Sequence, residues 1–107
     1  MQTLEQMQTA AFQIISYSGD ARSSYLEAIR EAREGNFERA EELIKIGEKA
    51  YHEIHQVHFS LIQKEANGET LPFSLLFMHA EDQMLTTETI KLLALEMIQM
   101  CKFMRER

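Results

Sequence analysis

The sequence predicts an all-α fold: an antiparallel three-helix bundle whose protomers assemble into a homo-oligomer. The 107 residues include one proline and four glycines. Ala, Leu, Glu, Met, Gln and Ile dominate the composition, and most of these are good helix formers. Two breaks, Gly35-Asn36 and Asn67-Gly68, divide the chain into three long stretches. Since both breaks are short, consecutive helices should be antiparallel neighbours.

The first helix is expected over residues 3–34. Apolar or small residues recur along it at spacings of three and four, which indicates one buried face. These residues are Leu4, Met7, Ala11, Ile14, Ser18, Ala21, Tyr25, Ile29 and Ala32. Gly19 and the hydroxyl of Ser18 interrupt the pattern, and residues 20–24 after them are small and polar. Two interpretations stay open: a mild bend or close helix contact at Gly19, or a polar girdle (residues 18–24) that faces a site on another helix.

The second helix is expected over residues 37–66, with Gly35 just past the first helix and Asn36 as the new cap. Its inner face is predicted to consist of Ala40, Leu43, Ile44, Gly47, Ala50, Tyr51, Ile54, Val57, Leu61 and Ile62. Three histidines, His52, His55 and His58, follow one another every three residues. On a helix their directions spread over about 120°, so one metal ion could not easily bind all three. Ordinary, partly exposed histidines are favoured over a zinc site.

The third helix is expected over residues 71–104, with Pro72 near its start. Residues 75–78 and most of 90–98 are apolar on every side of the helix. A helix of this kind is buried on all sides, and two helices of its own chain cannot achieve that. Other copies of the chain should therefore pack against it. Cys101 lies near the apolar end of this helix. Such surroundings disfavour the thiolate, so a packing role is favoured over a nucleophilic one.

The formal net charge of −6 argues against nucleic acid and anionic lipid as partners, since both require a basic surface. The N-terminal residues do not resemble a signal peptide, and no apolar stretch reaches the roughly 18 to 20 residues of a membrane span. The lone cysteine suits a reducing compartment. These features predict a cytoplasmic protein without direct membrane insertion.

His79 and Asp82 stand out because they lie inside the apolar third helix, three residues apart and hence on one face. Buried ionisable groups are usually paired, metal-bound or used in chemistry. If the third helices of several chains met on a symmetry axis, their Asp82 carboxylates would converge. Converging carboxylates raise one another's pKa or recruit a hard cation such as Mg²⁺. His79 would then lie near the subunit interface, in a setting that suits a histidine nucleophile.

Four segments follow one another along the chain: Gly19-Asp20-Ala21-Arg22-Ser23, the Gly35-Asn36 break, residues 62–68, and Met78-His79-Ala80-Glu81-Asp82-Gln83. Together they resemble the enzyme IIA component of the lactose/cellobiose (N,N′-diacetylchitobiose) family of the bacterial phosphoenolpyruvate-dependent sugar phosphotransferase system. The resemblance covers nearly the whole chain and implies a single IIA domain over residues 1–107. It also implies a homotrimer, with Asp82 of three chains sharing one Mg²⁺.

The resemblance further implies a phosphotransferase component that acts as a phosphoryl carrier. His79 would accept the phosphoryl group from phospho-HPr, on Nε2, and pass it to a cysteine of the IIB component, which serves the IIC membrane permease. The transported sugar would be a β-linked disaccharide such as cellobiose or lactose. The alternative is a non-catalytic helical oligomerisation or regulatory module, in which His79 and Asp82 only fix the register of the helices.

Two positions depart from the family pattern. Family members commonly carry Gln where this chain has Glu81, and His where it has Gln83. Glu81 brings a negative charge close to a residue that would hold a phosphoryl group, which predicts a penalty unless a donor compensates. Gln83 keeps the ability to donate a hydrogen bond and is a candidate for stabilising the phosphoryl group.

Overall fold

The computed structural model describes all 107 residues and contains three helices: α1 (Leu4–Arg33), α2 (Phe37–Ala66) and α3 (Leu75–Glu106). The all-α prediction is confirmed. The molecule measures 58 × 21 × 19 Å, so it is a rod about one helix long. None of the helices combines the length and apolar character needed to cross a membrane.

Contacts at the helix ends show the direction of each helix. Gln2, just before α1, accepts a hydrogen bond from Lys64 at the end of α2, with 2.7 Å between Oε1 and Nζ. At the other end of the rod, Arg105 of α3 donates to the carbonyl of Arg33, the last residue of α1. Therefore α2 runs antiparallel to α1, while α3 runs parallel to α1.

The predicted boundaries of the first two helices agree with the structure to within one residue. Thr3 and Gln6 form a capping box at the start of α1, since each side chain accepts from the backbone N–H of the other. Gly35 has a φ of +86°, the left-handed conformation that glycine supplies after a helix end. Asn36 occupies the cap position of α2, but its side chain donates to Glu31 instead of capping the helix.

The predicted start of the third helix at residue 71 is wrong by four residues. The helix begins at Leu75, because the Ser74 hydroxyl accepts a hydrogen bond from the Phe77 N–H at 3.1 Å and so caps it. Pro72 lies before the helix, not in its first turn. Proline disfavours a helical conformation in the residue that precedes it, here Leu71, which keeps this part of the chain outside the helix.

Helix α1 occupies the middle of the bundle and packs against both α2 and α3. Helices α2 and α3 approach each other mainly through long side chains, such as Tyr51 with Glu88 and Lys91 with Glu48. The buried side chains form two clusters along the rod, and the cluster nearer the start of α3 includes Ile14, Phe77 and Ala80.

Most of the predicted inner faces are buried. The exceptions include Leu4 and Ile62, which are exposed near the ends of α1 and α2.

One whole side of α3 has no partner within the protomer. Ten of the eighteen large exposed hydrophobic side chains belong to this helix, including Leu75 at 73% exposure and Leu92 at 58%. Exposed apolar side chains are ordinary when scattered, but a contiguous patch marks an interaction surface. We call this the open face of α3: Leu75, Met78, Leu85, Leu92, Leu93, Met97, Met100 and Phe103.

The close helix contact considered for Gly19 occurs instead at Gly47 of α2. A Cβ atom at Gly47 would lie 2.8 Å from Cδ1 and 2.9 Å from Cζ of Tyr25, whose side chain is fully buried. A Cβ atom at Gly19 would meet nothing within 4 Å. The absence of a side chain at Gly47 therefore leaves the space that the Tyr25 ring occupies between α1 and α2.

Replacing Gly47 and Gly19 with alanine should have opposite effects on the free energy of unfolding. Gly47→Ala should lower the free energy of unfolding by about 1–3 kcal/mol, because the buried ring cannot move aside. Gly19→Ala is the matched control and should raise it by about 0.5–1 kcal/mol through the greater helix propensity of alanine. Urea denaturation of both variants measures the difference, and equal effects would contradict the packing argument.

The same packing predicts a loss of stability at alkaline pH. Burial, with the nearby Glu48 carboxylate, raises the pKa of Tyr25 to about 12, and burial with Glu88 raises the pKa of Tyr51 to about 12. Between pH 10 and 12 the unfolded chain releases these protons while the folded chain keeps them. Stability should therefore be fully present below pH 10 and should fall as the pH rises towards 12.

Tyr25→Phe tests this prediction because the hydroxyl of Tyr25 is buried without a hydrogen-bond partner. The variant should lose roughly 2 kcal/mol less than the wild type between pH 10 and 12. It should also be at least as stable at pH 7, since it removes an unsatisfied buried polar group. Chemical denaturation at a series of pH values gives both quantities, and parallel pH profiles for the two proteins would refute the prediction.

Candidate functional site

His79 and Asp82 lie together in the second turn of α3, as their spacing predicts. Both side chains are exposed in the protomer and line one shallow depression with Leu75, Leu76 and Met78. No protein atom is hydrogen-bonded to either side chain. The imidazole of His79 is therefore sterically open to an incoming group, in a depression that is apolar apart from Asp82.

Asp82 lies within the open face of α3. Met78, Leu85 and Leu92 recur every seven residues along this face, and Asp82 follows Leu75 by the same interval. A seven-residue apolar repeat is typical of helices that pack around a common axis. Any copy of the chain that covers the open face thus also covers Asp82. Within one protomer, no three His, Cys, Asp or Glu side chains are placed to hold a metal ion.

Glu81 points away from His79 and has a partner of its own. Two residues correspond to about 200° around a helix, so the two side chains leave α3 on opposite flanks. Glu81 Oε2 lies 2.7 Å from Nε2 of His58 on α2, and the His58 ring stacks on Phe77. His58 is therefore the hydrogen-bond partner of the Glu81 carboxylate. The contact directs the Glu81 carboxylate towards α2 and away from the flank of α3 that carries His79.

Gln83 leaves α3 on the flank of His79 and contacts α1. Its side-chain oxygen Oε1 accepts a hydrogen bond of 2.9 Å from Nη1 of Arg22, and both side chains are half-buried. Arg22 belongs to the polar girdle of residues 18–24. The contact favours the second interpretation of that girdle, in which it faces a candidate site on another helix.

The remaining candidates of the sequence lie apart from His79. His52 and His55 are exposed on α2, where His55 stacks on Phe59. Cys101 is half-buried near the far end of α3, next to the second buried cluster. Neither histidine lines the depression at His79, and Cys101 lies 22 positions further along the same helix.

Sequence reasoning did not identify Arg22 and His58 as parts of this region. Along the sequence, Arg22 is 61 residues from Gln83 and His58 is 23 residues from Glu81. Each carried a partial signal: Arg22 falls within one of the four segments of the family resemblance, and His58 is the histidine nearest the inner face of α2. The pairing itself depends on how the helices are rotated about their axes, which a single sequence does not reveal.

Comparison with known proteins places these features in one family. A family model described as the lactose/cellobiose-specific IIA subunit of PTS systems matches residues 9–102. The oligo-beta-mannoside-specific EIIA component of Bacillus subtilis (strain 168) is 42% identical over 92 residues, which cover 86% of this chain and 84% of that protein. The lactose-specific EIIA component of Staphylococcus aureus (strain N315) is 37% identical over 98 residues, covering 92% and 95%.

Solved structures agree with this assignment. The crystal structure of the PTS cellobiose-specific enzyme IIA from Bacillus anthracis superposes with a TM-score of 0.91 at 36% sequence identity. The alignment covers 100% of this chain and 96% of that one. Similarity of this extent includes all three helices and the loops that join them.

Proposed function

The chain belongs to the lactose/cellobiose-specific IIA family of the sugar phosphotransferase system, and from this premise we propose that it carries a phosphoryl group on His79. The observation that supports the proposal best is the setting of His79: an exposed imidazole without a protein hydrogen bond, in a depression lined by three apolar side chains and Asp82. A neutral imidazole of this kind has a free lone pair with which to attack phosphorus.

The transfer balances without any further reactant. A ring nitrogen of His79, Nε2 by family resemblance, forms a P–N bond as the P–N bond of phosphohistidine in HPr breaks. The electron pair of the broken bond returns to the donor ring, and each histidine keeps the proton on its other nitrogen. A cysteine thiolate of the IIB component then attacks the same phosphorus, and the electron pair of the P–N bond returns to His79. Such steps need positioning and electrostatic stabilisation more than covalent assistance from the protein.

We further propose that the protein is a homotrimer built on the open face of α3. The length and apolar character of this face require partners, and its seven-residue repeat suits identical helices around one axis. The polar outer face of α2 would remain exposed to solvent on the outside of the trimer. His79 would lie at the edge of the interface, where both HPr and IIB could reach it.

The same assembly would bring three Asp82 carboxylates together, which provides a donor set that one protomer lacks. Carboxylate oxygens are the ligands that Mg²⁺ prefers in proteins, so the residues fit one shared ion per trimer. The ion would neutralise charge that otherwise repels within an apolar interface. Its role in this proposal is to hold the helices together, and the transfer of the phosphoryl group does not pass through it.

The sugar is proposed as a class. The related proteins are named for lactose, cellobiose and oligo-beta-mannosides, all of which contain β-linkages. We therefore propose that the chain serves the uptake of a β-linked disaccharide or short oligosaccharide, through its IIB partner and the IIC permease.

The direct test is the intact mass of the protein after incubation with phosphoenolpyruvate, enzyme I and HPr. We expect a gain of one phosphate per chain that is lost in acid and retained in base, as phosphohistidine requires. A protein whose mass does not change under conditions that fully phosphorylate HPr would overturn the proposal.

A further inference from the structure

We propose that Arg22 is a positioning residue for the phosphoryl group: it holds the side-chain amide of Gln83 in one orientation, with the N–H₂ group turned towards His79. This inference rests on the proposed function of His79 as the phosphoryl carrier. It adds to that function a residue of α1 and a defined task for Gln83.

The contact between the two side chains is unusual in this molecule. The hydrogen bond from Arg22 Nη1 to Gln83 Oε1 is the one bond between side chains that joins α1 to α3. Elsewhere the buried side chains of these two helices are mainly apolar, with Ser18 and Thr87 as the buried polar exceptions, and Arg105 donates to a backbone carbonyl. A polar contact beside the buried cluster costs desolvation of both groups, which is tolerated when the pair is satisfied.

Arg22 determines which end of the Gln83 amide faces outward. A guanidinium group only donates hydrogen bonds, so Gln83 must present its oxygen to Arg22. The amide nitrogen then lies on the side away from Arg22, and neither of its hydrogens has an acceptor within the protein. Without Arg22 the amide could rotate by 180° and present its oxygen instead, which would repel the oxygens of a phosphoryl group.

The position of Gln83 on the helix directs that nitrogen towards His79. The two residues are four apart, so they lie one above the other on the same flank of α3. Side chains on a helix lean towards its N-terminus, and the amide of Gln83 therefore covers the turn that carries His79. An N–H₂ group held there can donate to the oxygens of a phosphoryl group on the imidazole.

The charge of Arg22 acts in the same direction. A phosphorylated side chain carries a charge of about −1.5 to −2 at neutral pH. Two carboxylates, Glu81 and Asp82, lie within three residues of His79. Arg22 is the one Lys or Arg side chain hydrogen-bonded to any residue between His79 and Gln83, since Glu81 is paired with a histidine. Its guanidinium group thus supplies positive charge on the flank where the phosphoryl group would be held.

The test compares the rate of phosphoryl transfer from phospho-HPr for the wild type, Arg22→Met, Arg22→Lys, Gln83→Met and the Arg22→Met/Gln83→Met double variant. We expect Arg22→Met to lower the rate about tenfold and Arg22→Lys, which keeps a donor-only cation, to recover most of it. Because Arg22 acts in part through Gln83, the double variant should be slower than Gln83→Met alone by clearly less than tenfold.

Gln83→Glu separates positioning from a purely structural role. This variant keeps an acceptor for Arg22, and as an ion pair the contact should hold the helices at least as firmly. It removes the N–H₂ donor, however, so the transfer rate should fall by about tenfold or more while the melting temperature is maintained. Because this variant also adds a negative charge, Gln83→Met is the neutral comparison: a purely structural role predicts that its rate falls only to the extent that its melting temperature falls.

The inference is overturned if the wild type is phosphorylated and Arg22→Met reacts as fast as the wild type, or if the effects of Arg22→Met and Gln83→Met multiply fully in the double variant. A wild-type protein that takes up no phosphate from phospho-HPr would instead overturn the proposed function, and this inference with it. The two failures are therefore distinguishable in one set of measurements.

Discussion

Replacement of His79 by glutamine is expected to abolish phosphorylation by phospho-HPr without altering the fold. The side chain is exposed and makes no hydrogen bond within the protein, so its loss removes no contact that the bundle needs. Glutamine retains polarity and helix propensity but offers no ring nitrogen for attack on phosphorus. Intact mass after incubation with phosphoenolpyruvate, enzyme I and HPr should show one phosphate on the wild type and none on His79→Gln. Circular dichroism and thermal melting should be unchanged.

The chain provides matched controls for this experiment in its other three histidines. His52→Gln and His55→Gln change exposed histidines on α2, and both variants should accept phosphate as the wild type does. His58→Gln removes the partner of Glu81 and should still become phosphorylated. His58 belongs to α2 and contacts α3 on the flank opposite to His79. Full labelling of His79→Gln would refute the assignment. Failure of all four variants and of the wild type would favour the non-catalytic module, in which His79 only fixes helix register.

The sequence predicted the helices well where local signals decide the outcome. Gly35 ends α1 and Gly68 follows the end of α2, and both adopt the positive φ that few other residues tolerate. The third helix was placed too early because the apolar pattern begins at Leu71, whereas the cap that starts the helix is Ser74. A serine followed by an apolar run is a recognisable cap, and it outweighed the tolerance of helices for an early proline.

The sequence predicted which residues of α3 lie together in the candidate site, but not their contacts with α1 and α2. The spacing of His79 and Asp82 places them on one face of any helix, and the structure confirms that both line the same depression. The effect of Glu81 could not be judged from sequence, because its charge is directed towards His58 on α2. Contacts between helices depend on the rotation of each helix about its axis, and no residue of α3 alone encodes that rotation.

The second large effect that we expect is a change in assembly, because the open face of α3 includes Asp82. For the proposed homotrimer with its shared Mg²⁺, we expect Asp82→Leu to give an assembly whose stability no longer depends on divalent cations. In the wild type, three carboxylates within an apolar interface would repel one another unless a cation such as Mg²⁺ lies between them. Leucine removes the repulsion and adds apolar area to a face that is already apolar. Sedimentation equilibrium should show that EDTA weakens the wild-type trimer at least about tenfold, a change of roughly 1.4 kcal/mol, and leaves Asp82→Leu unaffected.

Asp20, the only other aspartate of the chain, provides the control for loss of one negative charge. It is exposed in the polar girdle of α1, away from the open face of α3, so Asp20→Leu should keep the EDTA sensitivity of the wild type. Asp82→Asn separates charge from hydrophobicity: it removes the repulsion without adding apolar surface, and should be insensitive to EDTA but less stable than Asp82→Leu. The axial position of Asp82 would be refuted if the wild-type trimer ignored EDTA and all three variants assembled with wild-type affinity. A carboxylate that faced only solvent would give that result, because it would neither repel its copies nor require an ion to hold them together.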